Sequence, residues 1–214
     1  MTDWKQVVID KIRQQILDEH PTTNNFALPD NLSRKLKTYM SLREDLILCI
    51  KIATELKNLV EKGPKDDTQH ILTALWSSMI IIYGKCFTDA SKAKKSKLEI
   101  KHILTQGQSS LLDIHEKIMD TRHSYIAHRG DNENDQSIVF FKQPKIRTEN
   151  PYTEYQIKSL RANNFGIENL ERSLELLNTV YSHVDQKLRK DWEKVHNDVM
   201  TKYSPDELAA WLIK

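Results

Sequence analysis

Apolar residues recur in steps of three and four over one segment after another, and this pattern marks an all-α helical bundle. Two further observations point the same way. Only five glycines and six prolines interrupt the 214 residues, and most of them fall between the periodic segments. Hydrophobic residues at 39% and charged residues at 29% suit a packed domain rather than a disordered chain. One departure is expected, a small β-hairpin inserted near residues 137–158, with a long helix on its C-terminal side. The expected organisation is an N-terminal helix and linker over 1–29, a helical bundle over 30–200 and a short helix over 201–214.

From Asp3 to Glu19, Trp4, Val8, Ile12 and Ile16 recur every four residues, so an amphipathic helix is expected, ended by His20-Pro21. Pro21 to Pro29 reads as a linker. A second helix starts at the Asp30-Asn31 cap and runs to Glu61, where Gly63-Pro64 stops it. The third starts near Asp66 to Thr68 and is apolar on most faces through Phe87, which predicts the bundle's central helix. After Gly107 comes a helix expected over Gln108 to His128. Ile138 to Phe141 reads as a strand and Tyr152 to Lys158, with Tyr155 and Ile157 alternating, as its partner, the loop between them bounded by Pro144 and Pro151; such a hairpin would cap the bundle or extend a dimer contact. Ile167 to Val199 keeps threes and fours over more than four heptads. Ser204-Pro205-Asp206-Glu207 then carries a cap, a proline at the first position and a glutamate at the third, which opens a final short helix.

One window concentrates reactive side chains: Asp120-Thr121-Arg122-His123-Ser124-Tyr125-Ile126-Ala127-His128-Arg129-Gly130. Leu111, His115, Ile118 and Arg122 share one helix face at about 100° per residue. That face points inward, where a guanidinium needs either a carboxylate or an anion to receive. His128, six residues on, lies about 120° away in a continuous helix. The two side chains meet only if the helix ends near Ala127, or if two copies of it meet across a two-fold axis. Ser91 to Lys101 adds five lysines, among them Lys94 and Lys95, which read either as a solvated loop or as contacts to phosphates.

Arg122, the polar His123 after it, and His128 after a five-residue gap resemble the signature of HEPN domains, the higher eukaryotes and prokaryotes nucleotide-binding superfamily. Tyr125 to Asp131 is similar to the abortive-infection branch of that superfamily. The resemblance spans residues 30–200, with only the motif sharp. It implies a HEPN-like bundle in which two protomers pair to form one metal-independent endoribonuclease site acting on single-stranded RNA. It also implies a toxin or phage-defence role with an antitoxin or defence partner. In that reading Arg122 and His128 are catalytic with His123 assisting, and Arg129, Lys94 and Lys95 hold nucleic acid. Two alternatives stay open: a non-catalytic dimerisation or scaffold module, and RNA or nucleotide binding without cleavage. An Arg122 buried against a carboxylate favours the scaffold; an Arg122/His128 pair in an open cleft favours the enzyme.

Other chemistry is set aside. There is no Gly-rich phosphate loop, no His-Glu-x-x-His, no Cys-x-x-Cys and no nucleophile elbow, so neither a cofactor nor a metal is expected. Asp131 to Asp135 is an acidic turn without the ligand spacing of a calcium hand. Cys49 and Cys86 lie in apolar helical patterns and read as buried thiols. A net charge of +2 permits nucleic-acid binding without announcing it. With no apolar run approaching a bilayer's span, the expectation is a cytoplasmic protein without a membrane contact.

Overall fold

A computed structural model describes residues 4–63, 68–88, 97–105, 107–123 and 166–213, and the backbone of 135–142 and 154–161. Six helices are present among them: α1 (Trp4–Glu19), α2 (Asp30–Glu61), α3 (Gln69–Phe87), α4 (Ser109–Thr121), α5 (Ile167–Lys202) and α6 (Pro205–Ala209). Two strands, β1 (Asp135–Lys142) and β2 (Glu154–Arg161), pair antiparallel with Asp135 opposite Arg161 and Lys142 opposite Glu154. The chain divides into two compact units, Leu42–Val184 and Met1–Ser41 with Asp185–Lys214. The divisions fall inside α2 and inside α5.

In the unit Leu42–Val184 the core is helical. It is built from Leu46, Cys49, Ala53 and Leu56 of α2 and from Trp76, Met79, Ile80 and Tyr83 of α3. Leu111, Ile114 and Ile118 of α4 and Leu170, Leu176, Leu177, Val180 and Val184 of α5 complete it. Each fully buried aliphatic side chain contributes on the order of 1.5–3 kcal/mol. Polar contacts at the rim fix the helix order. Lys57 of α2 reaches Glu171 of α5 at 2.8 Å, Lys85 of α3 reaches Asp45 of α2 at 2.8 Å, and Arg172 of α5 donates to the Ser110 carbonyl of α4 at 2.6 Å. Helix α2 ends at Gly63, whose φ of 80° is the left-handed geometry that a side chain disfavours. The segment after α3 returns to it through Leu98, which is buried and donates to the Cys86 carbonyl at 2.9 Å.

The other unit holds α1, the start of α2, the end of α5, and α6. Here the stretch read as a linker pairs with the C-terminal segment. Phe26 bridges Leu212, Ala27 N–H donates to the Trp211 carbonyl at 2.8 Å, and Ile213 N–H donates to Asn25 at 2.8 Å. Tyr203 packs edge-on against Trp211, and Lys35 meets Asp191 at 2.8 Å. The Ser204 cap is complete: its hydroxyl accepts from Glu207 N–H at 3.4 Å, and the Glu207 carboxylate accepts from Ser204 N–H at 2.8 Å.

The fold expectation is corrected in three respects. Among the residues whose burial is described, every buried one belongs to a helix except Leu98, so the described core is all-α. β1 and β2 form a two-stranded ribbon over 135–142 and 154–161, which reaches past the expected bounds of 137–158 at both ends. Finally, α3, apolar on most faces, is buried on one side only rather than central. Seven of its residues are buried, whereas Ile71 and Ile81 are exposed. By length and composition α3 would also cross a membrane, a property that core helices share.

Candidate functional site

The face shared by Leu111, His115, Ile118 and Arg122 lies against α3. Leu111, Ile114, His115, Ile118 and Thr121 are buried, and Arg122 is half-buried. Regular α-helical winding stops at Thr121. The Arg122 N–H bonds to both the Ile118 and Met119 carbonyls, and the backbone widens to π-type winding across Arg122 and His123. Such widened turns are frequent at functional sites. The helix expected to reach His128 is therefore regular only to Thr121 among the described residues.

Opposite Arg122 stands Gly84, a buried glycine inside α3. A Cβ built at Gly84 would overlap Arg122 Cδ and sit 2.7 Å from its Nε. The arginine stem thus occupies the space that any other residue at 84 would fill. Glycine inside a helix costs about 1 kcal/mol relative to alanine, so the absent side chain marks room that something else uses. Among the described residues no carboxylate pairs with Arg122. The neighbouring cation, Lys85, is already neutralised by Asp45. A half-buried guanidinium without a counter-charge attracts an anion, and its planar fork suits the oxygens of a phosphate.

One heptad before Arg122, His115 is buried, with its Nδ1 2.8 Å from the Tyr83 hydroxyl and its ring edge-on to Tyr83 and Phe87. Burial lowers the His115 pKa below its ordinary value and raises that of Tyr83 well above the usual phenol range. Both groups are therefore neutral near pH 7, with the shared hydrogen bond satisfying one imidazole nitrogen. His115 acts here as a packed, bonded core histidine that ties α4 to α3 and so helps place Arg122.

The sequence-predicted residues are placed as follows. Arg122 lies half-buried over Gly84, and the adjacent His123 is exposed. His128, Arg129, Lys94 and Lys95 lie outside the described residues, as do Tyr125 and the acidic turn over 131–134. Lys97 and Lys101 of the lysine segment are exposed, and Lys101 pairs with Glu99 at 3.0 Å. No cluster of histidine, cysteine, aspartate or glutamate with metal-binding geometry occurs among the described residues. Sequence reading missed Gly84 and the Tyr83–His115 bond. The lone glycine within an apolar helix was the available signal for the first.

Compared with known proteins, the chain matches no family model, no curated protein and no solved structure. The HEPN resemblance thus stands on the sequence window from Arg122 to Asp131, with no match to support it.

Proposed function

We propose that this chain is a metal-independent endoribonuclease in which Arg122 holds the scissile phosphate. The observation that supports the reading is the Arg122 side chain, set over a glycine, half-buried and unmatched by any carboxylate among the described residues. RNA carries its own nucleophile. The 2′-oxygen attacks the adjacent phosphorus as a base takes its proton, the bond from phosphorus to the 5′-oxygen breaks, and an acid returns a proton to that oxygen. His128 would supply the acid–base group, since imidazole titrates near neutrality. Arg122 would stabilise the charge gathering on the phosphate oxygens, and the exposed His123 would orient the strand.

The test is cleavage of varied single-stranded RNAs by purified protein in EDTA, comparing wild type with Arg122→Ala and His128→Ala. Cleavage that survives EDTA and disappears in both variants supports the reading. Cleavage that persists in both would assign the chemistry to other residues. A second reading, a non-catalytic helical interaction module, is favoured by the exposed Trp4, Val8 and Ile12 on α1. It gains if wild type leaves every RNA intact.

A further inference from the structure

Tyr83, Phe87 and His115 bring three rings together where α3 meets α4. Phe87 lies 4.9 Å from Tyr83 and 4.7 Å from His115, ring centre to ring centre, tilted to the first and edge-on to the second. Tyr83 and His115 are buried, so the half-buried Phe87 is the member of the cluster that reaches solvent. It is the last residue of α3, and the backbone turns extended at Thr88. No further turn of that helix therefore covers the ring. Phe87 also stands one turn beyond Gly84, about 4.5 Å along the axis and about 60° around it. Gly84 is where the Arg122 stem crosses α3. A held aromatic ring and a guanidinium unmatched among the described residues thus share one end of α3.

We infer that Phe87 is a stacking platform for an unpaired base, next to the phosphate that Arg122 holds. The inference rests on the phosphate reading of Arg122 and adds to it the form of the ligand: a single strand with an unstacked base beside the bound phosphate. Every base has a π face, so an aromatic ring accepts one without reading its sequence. Tyr83 and His115 already hold the Phe87 ring, and a held ring loses little freedom when a base settles on it. The Tyr83 hydroxyl, 2.8 Å from His115 Nδ1, pins those two buried rings in turn. In a duplex both faces of a base are taken by its neighbours, so such a platform selects single strands over paired ones. The other use of Phe87 is plain packing at the end of α3, and the two uses part on whether the base matters.

Fluorescence anisotropy of the full chain with two labelled strands of equal length tests it, one a 2′-O-methyl RNA and the other the same backbone without bases. Wild type should hold the base-bearing strand more tightly. Phe87→Leu, which keeps an apolar side chain in the cluster, should lose roughly fivefold or more on that strand and nothing on the abasic one. Phe87→Trp should hold both strands as wild type does. Far-UV circular dichroism checks that both variants keep their helices. Equal losses on the two strands, or no loss on either, would overturn the inference and leave Phe87 as packing. Wild type binding both strands alike would overturn it as well. Arg122→Ala keeps the outcome separate from the phosphate reading, because it should weaken both strands. If it does so while Phe87→Leu is silent, the stacking inference alone fails. If Arg122→Ala is silent on both strands, the phosphate reading fails and takes the inference with it.

Discussion

Replacing Gly84 by alanine sets two effects against each other. In a helix interior the change is worth about 1 kcal/mol of added stability. Here, however, the new methyl would overlap Arg122 Cδ and crowd Nε. Overpacking of a core costs about 1–3 kcal/mol. The obstructing atoms belong to a long side chain that can swing aside, so the cost falls at the lower end of that range. In wild type the two effects nearly cancel, and Arg122 is displaced. In an Arg122→Ala background the obstruction is gone, and Gly84→Ala should stabilise by about 1 kcal/mol. The double-mutant cycle over the four proteins therefore carries a coupling of about 1 kcal/mol or more, which urea unfolding followed by circular dichroism resolves. A Gly84→Ala effect equal in both backgrounds, to within about 0.3 kcal/mol, would refute the claim that Gly84 makes room for Arg122.

Tyr83→Phe should destabilise by about 1–3 kcal/mol, because it strips the buried His115 of its partner; thermal unfolding checks this. The folded-state pKa of His115 lies below its ordinary 6.5, so as pH falls through that value the unfolded chain takes up a proton that the folded chain resists. Stability is then fully present above pH 6.5 and lost on the way down, and His115→Leu should flatten that limb of an unfolding-versus-pH curve. Burial pushes the Cys86 thiol up to about 12 and that of Cys49 higher still, so neither should react with a thiol reagent at pH 7 until the chain is unfolded. Leu177→Ala, at a fully buried position of α5, should cost about 2–5 kcal/mol in urea unfolding.

Helix positions were legible because punctuation and period coincide. Asp30, Gly63 and Ser204 begin or end helices where their chemistry says they should, and the α2 bounds were read to the residue. Among the described residues, regular winding of the motif helix stops at Thr121, short of the expected His128. Periodicity carries no sign of the widened turn at Arg122 and His123. Periodicity also shows which face of α1 is apolar, but not whether the same chain covers it; the exposure of Trp4 and Ile12 is a tertiary fact. At the candidate site, an inward Arg122 could be read from its place on the stripe of Leu111, His115 and Ile118. Its partner could not, because Gly84 lies 38 residues earlier and acts by having no side chain at all. The hydrogen bond between Tyr83 and His115 was hidden in the same way, since both residues look like ordinary marks on two apolar faces.

The most direct measurement is fluorescence anisotropy with a single-stranded RNA blocked by 2′-O-methyl groups, which binds without being cleaved. Wild type, Arg122→Ala and Arg122→Lys would be compared at one fixed salt concentration. A charge-assisted contact of about 1.5–3 kcal/mol predicts a loss of roughly tenfold or more for Arg122→Ala, with partial retention by the lysine variant. Equal affinity across all three proteins would contradict Arg122 as the phosphate-binding group.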